Sequence, residues 1–87
     1  MFLDVREPAE HAAASIGGAV LIPMREIPGR LAELDRDKEI VVFCHHGSRS
    51  AMVVQFLRGQ GFGRAINMAG GIDAWSLVVD PSVPRYR

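Results

Sequence analysis

Seven consecutive residues, Cys44-His45-His46-Gly47-Ser48-Arg49-Ser50, concentrate the chemistry of this chain. Cys44 is its only cysteine. A thiol becomes a nucleophile when its pKa is lowered, and the residues that could lower it follow directly. Gly47 lets the backbone curl without a Cβ clash, so that N–H groups can converge on one sulfur. Ser48 and Ser50 add hydroxyl donors. Arg49 adds a cation that can draw in an anionic reactant and, if close, stabilise a thiolate. A lone cysteine after an apolar run is more often inert core; the glycine, serines and arginine beside it reverse that reading. His45 and His46 next to a cysteine suggest a metal, but consecutive residues on a curled loop do not aim at one ion. No metal and no cofactor are expected, and the histidines are assigned to the rim of the site, where they tune access of an acceptor.

The flanking residues must hold this loop. Ile40-Val41-Val42-Phe43 is an unbroken apolar run rich in β-branched residues, which reads as a strand buried on both faces, as in parallel sheets. After the loop, Ser50 to Arg58 places Ala51, Val54 and Leu57 at helical spacing, widened by Met52, Val53 and Phe56. The cysteine therefore sits between the carboxyl end of a strand and a helix N-terminus, where free amides and the helix dipole favour an anion. Elsewhere, Phe2–Val5 reads as a short strand, Glu7–Ala14 as a short helix with Pro8 in its first turn, and Ala19–Ile22 as a strand ended by Pro23. Met24–Gly29 reads as a connector, because Pro28 and Gly29 break a helix. Arg30–Leu34 reads as a helical turn or two, with Leu31 and Leu34 facing inward. Ala65–Met68 reads as a last strand, and Ile72 to about Val78 as a last helix carrying a core Trp75. The tail 80–87, with two prolines, is expected to lie extended. Strands alternating with helices predict one α/β domain over 1–87, a small parallel sheet with helices on both faces. In such sheets ligands bind beyond the carboxyl ends of strands, so Asp4–Glu7 and Cys44–Arg49 should share one edge. His11 reads as a solvated helix residue.

Cys44 to Ser50, with its strand before and helix after, resembles the active-site loop of the rhodanese (thiosulfate sulfurtransferase) family. Leu3-Asp4-Val5-Arg6-Glu7 is similar to the family's LDVRE segment, and Gly70-Gly71-Ile72-Asp73-Ala74-Trp75 to its late GGxxAW segment. The resemblance implies a rhodanese-like fold and a sulfurtransferase that carries sulfane sulfur as a Cys44 persulfide. Thiosulfate or a protein persulfide is the implied donor, and a thiol or cyanide the acceptor. His45, His46, Gly47, Ser48, Arg49 and Ser50 are the implied substrate-binding residues. Asp4 and Arg6 either contact substrate or, more simply, brace loops through hydrogen bonds and an ion pair. Residues 80–86 resemble tails of rhodanese domains fused to adenylyltransferases. The resemblance implies that about one strand and one helix of the family, roughly twenty residues, would precede Leu3 and are not in this sequence. The absent strand would neighbour Ala65–Met68, so that edge is expected to be bare and open to self-association.

Two rival functions have distinct signatures. A persulfide carrier would load Cys44 but turn over little without a biosynthetic partner. A cysteine phosphatase needs a Cys-x5-Arg loop, which would put arginine at position 50; position 50 is Ser, and the arginine is Arg49. The shorter loop suits a sulfur atom better than a tetrahedral phosphate. The Gly70-Gly71 pair resembles phosphate-binding glycines, but the GxGxxG spacing is absent.

Composition narrows the field. Eighty-seven residues, 48% of them hydrophobic, supply one small core. A single cysteine excludes an internal disulfide and an internal resolving thiol, so the acceptor must come from outside, and a reducing cytoplasm is the expected location. Ten basic residues balance ten acidic ones. No net field favours nucleic acid or an anionic membrane, and no apolar run is long enough to cross a bilayer.

Overall fold

Four short parallel strands carry the site. The computed structural model describes residues 1–72. The continuation of the last helix to about Val78, Trp75 and the tail 80–87 lie outside the described residues. Strands β1 (Phe2–Asp4), β2 (Val20–Leu21), β3 (Ile40–Phe43) and β4 (Ala65–Asn67) form one sheet in the order β2-β1-β3-β4. All three pairings are parallel, with Leu3 opposite Val42 and Val42 opposite Asn67. The apolar run at 40–43 is the most shielded strand, flanked by β1 and β4, and Ile40, Val42 and Phe43 have no exposure.

Alternation along the strands feeds two cores. Leu3, Ile40, Val42 and Ala65 face helix α2 (Ser48–Gly59), meeting Val53, Val54 and Leu57. Phe43 faces the other way, against Ala14, Ile16 and Ile72. Ala14 caps helix α1 (Pro8–Ala13), so helices lie on both sides of the sheet.

Met24–Gly29 corrects the expectation of a plain connector. It is a 3-10 helix whose Ile27 is 2% exposed in the main core. The short i→i+3 pattern tolerates Pro28, which removes one donor without breaking a long ladder. A second 3-10 turn spans Leu31–Glu33; Leu34 beyond it is buried and Leu31 packs at the core's edge.

Strand β4 forms one border of the sheet. Ile40 N–H donates to Arg64 O and Met68 N–H to Val42 O. The alternation of a parallel ladder therefore turns Ala65 N–H and C=O outward. Neither is bare. Ala65 N–H donates to Phe62 O at 3.3 Å, and Arg58 of α2 reaches over the rim to donate from Nε (3.1 Å) and NH2 (2.9 Å) to Ala65 O. A charged side chain over an edge strand discourages pairing with another chain. Replacing Arg58 with Met should therefore lower stability by about 1 kcal/mol. It should also make the variant associate more strongly than wild type in sedimentation at matched concentration; equal association would show that Arg58 does not guard the edge.

Candidate active site

Cys44 follows β3 directly and is 1% exposed. Three residues on, Gly47 adopts φ 111°, ψ −9°, the left-handed region that glycine enters without strain. That reversal drops the chain into α2 at Ser48, two residues earlier than the sequence periodicity suggested. The first-turn amides are thereby aimed back at the sulfur. Gly47 N–H donates to Cys44 Sγ at 3.0 Å and Ser50 N–H at 3.4 Å. Ser50 Oγ lies 3.4 Å from the same sulfur.

These contacts decide the state of the thiol. Burial alone would push its pKa up. The Ser50 hydroxyl, then the amides of Ser50, Gly47 and Arg49, outweigh burial and hold the thiol below its ordinary range. The lowering comes from oriented hydrogen bonds, which also suit a negative charge on a second sulfur attached to the first.

A second loop forms the back wall. Ile72 N–H donates to Cys44 O at 2.9 Å. Gly71 has φ 61°, and a methyl group built on it would overlap the carbonyl oxygens of Cys44 and His45. A Cβ on Gly47 would come within 3.3 Å of Gly70 N. The glycine pair at 70–71 thus serves close backbone contact with the cysteine loop.

The remaining site residues fall into layers. Ser50 is fully buried, and its single hydroxyl proton has three acceptors in reach: Asn67 Oδ1, Gly47 O at 3.1 Å and Cys44 Sγ. Asn67 Nδ2 also reaches Gly47 O at 3.4 Å. Ser48 is exposed at the first helical position. His45 is half-buried and His46 exposed; their rings stack at 4.0 Å and 26°. Arg49 turns its guanidinium to Glu10 of α1, with NH1–Oε1 at 2.6 Å and NH2–Oε2 at 2.8 Å. It acts on the thiol through its backbone amide.

Asp4 and Arg6 have no exposure. Arg6 Nε and NH2 form a fork on the Asp4 carboxylate at 2.8 and 2.7 Å, and the same guanidinium donates to Glu10 O and Ala14 O. They brace α1 and the chain beyond it. His11 is not simply solvated, since its Nδ1 lies 2.8 Å from Asp4 Oδ2. Glu10 and Asn67 escaped the sequence reading. Asn67 left one trace, a polar residue at the carboxyl end of an apolar strand; Glu10 left none, because its partner is 39 positions away. Among the described residues no group of three His, Cys, Asp or Glu side chains could hold a metal ion.

Comparison with known proteins identifies the family and the fold. The family model described as the rhodanese-like domain matches residues 1–77. This chain belongs to the rhodanese-like domain family. A sulfurtransferase of Allochromatium vinosum is 41% identical over 76 residues, covering 87% of this chain and 71% of that protein. The crystal structure of a rhodanese-related protein from Thermoplasma volcanium superposes with a TM-score of 0.87 at 39% identity, covering 98% of this chain and 83% of that one. A human single-domain sulfurtransferase superposes with a TM-score of 0.79 at 29% identity, covering 88% of this chain and 80% of that one. At the level of the family, these relatives support sulfur transfer as the kind of activity.

Two outcomes follow. Thiolate content rises with pH through the thiol pKa, so a lowered pKa keeps Cys44 reactive at lower pH. Ser50→Ala removes the foremost lowering bond, and the midpoint of the iodoacetamide rate-versus-pH profile should move upward; an unmoved midpoint refutes the assignment. Gly71→Ala should cost at least about 2 kcal/mol in chemical denaturation, from strain and overlap together.

Proposed function

We propose that this chain transfers sulfane sulfur through a persulfide on Cys44. The single observation that supports it most is the convergence of Gly47 N–H, Ser50 N–H and Ser50 Oγ on one buried sulfur. In the first displacement the Cys44 thiolate attacks the outer sulfur of thiosulfate or of a persulfide, and sulfite or a thiol leaves. The amides that hold the thiolate remain beside the anion that replaces it. In the second displacement an external nucleophile, a thiol or cyanide, attacks the outer sulfur and returns the thiolate. His46 and Ser48, exposed at the rim, and the half-buried His45 behind them meet the acceptor. A phosphatase reading is disfavoured by position 50, where the buried Ser50 side chain stands on the sulfur in place of a phosphate-binding arginine.

Mass spectrometry after incubation with a sulfane-sulfur donor tests the proposal. The wild-type protein should gain about 32 Da, one sulfur atom, and Cys44→Ser should gain nothing. The gain should disappear when cyanide or a thiol is added. Equal gain by both proteins, or by neither, would overturn the Cys44 persulfide.

A further inference from the structure

The loop arginine does not face the sulfur with its charge at liberty to recruit an anion. Its guanidinium is gripped at two points by Glu10, at 2.6 and 2.8 Å, and the pair is only partly exposed, 32% for Arg49 and 22% for Glu10. Glu10 is itself fixed, since its Oε1 accepts the Glu7 amide at 3.1 Å and its backbone carbonyl accepts from the buried Arg6. The guanidinium of Arg6 is sealed at zero exposure on Asp4. A small dianion that sought the loop arginine would therefore meet a charge already paired with a carboxylate. Binding it there requires breaking a charge-assisted fork, among the stronger polar contacts in proteins.

We infer that Glu10 sets the donor class, by holding Arg49 so that the site disfavours dianionic donors such as thiosulfate and favours persulfides, R–S–SH. The inference rests on the sulfur-transfer reading above. With a persulfide, Cys44–S⁻ plus R–S–SH gives Cys44–S–S⁻ plus R–SH. The Cys44 sulfur bonds the terminal sulfur, the bond from that sulfur to R–S breaks, and the departing thiolate takes up the terminal proton. No oxyanion has to be seated. With thiosulfate, the same attack expels sulfite, and the donor's charge must compete with Glu10 for Arg49. Glu10 touches neither reactant in this scheme and acts as a positioning residue through Arg49.

The test measures the rate of Cys44 sulfur loading, read by mass, from thiosulfate and from a persulfide whose R group is uncharged, that of N-acetylcysteine amide. Glu10→Gln keeps an acceptor for the Glu7 amide, which a helix's third position takes from Gln as well as Glu. The thiosulfate-to-persulfide rate ratio should rise about tenfold in this variant, as expected for freeing a charge-assisted fork. The rise should shrink with added salt and vanish in Glu10→Gln/Arg49→Gln. Glu10→Asp, too short for the two-point grip, should raise the ratio less, in the same direction, so the outcome does not hang on one variant folding. An unchanged ratio in both single variants, or a rise that survives loss of Arg49, overturns the inference while leaving sulfur transfer intact. Failure of wild type to load from either donor removes the sulfur-transfer reading and the inference with it.

Discussion

The fork between Asp4 and Arg6 is the contact on which the rest of the molecule leans. Both side chains are wholly buried at the end of β1, where an unpaired charge would be strongly destabilising and a paired one is tolerable only if its remaining donors are used. They are used. Arg6 reaches the carbonyls of Glu10 and Ala14 and lies 5.5 Å from the centroid of the Phe43 ring. One guanidinium thus ties the first strand, the backbone of α1 and the residue before Cys44 into a single block. Placement of α1 fixes Glu10, Glu10 fixes Arg49, and Arg49 belongs to the loop around the thiol.

The thiol's own setting follows from backbone geometry more than from side-chain charge. A left-handed turn at Gly47 sends the chain into α2 early, so first-turn amides face the sulfur. Burial opposes ionisation and these donors reverse the balance. Charge enters one layer further out, in pairs that leave little net field at the site. A nucleophile arranged this way depends on shape being kept, and Cys44 is itself part of the main core with Leu3, Val42 and Val53.

Much of this was legible in the residues. The apolar run at 40–43 is β3 with the bounds the sequence suggested, because an unbroken β-branched stretch has few other stable settings. The LDVRE segment, the cysteine loop and the glycine pair are brought together at the carboxyl ends of parallel strands. The misses have separate causes. The α2 start was placed late because hydrophobic spacing marks where a helix becomes buried, and its first turn here is polar and functional. Met24–Gly29 was passed over because proline was weighed against an α-helix, when a 3-10 turn was the alternative. His11, Glu10 and Asn67 owe their places to partners distant in sequence or across the sheet, which no local pattern encodes.

The back-to-back contact at Gly71 has a consequence for how such a pocket can change over time. Its rear is welded to a neighbouring turn with no room for a single added carbon, whereas His46 and Ser48 stand exposed at the front. Innovation is therefore confined to the doorway. The same frame can be refitted for a new sulfur client by editing a few rim residues, while the wall behind the nucleophile stays as it is.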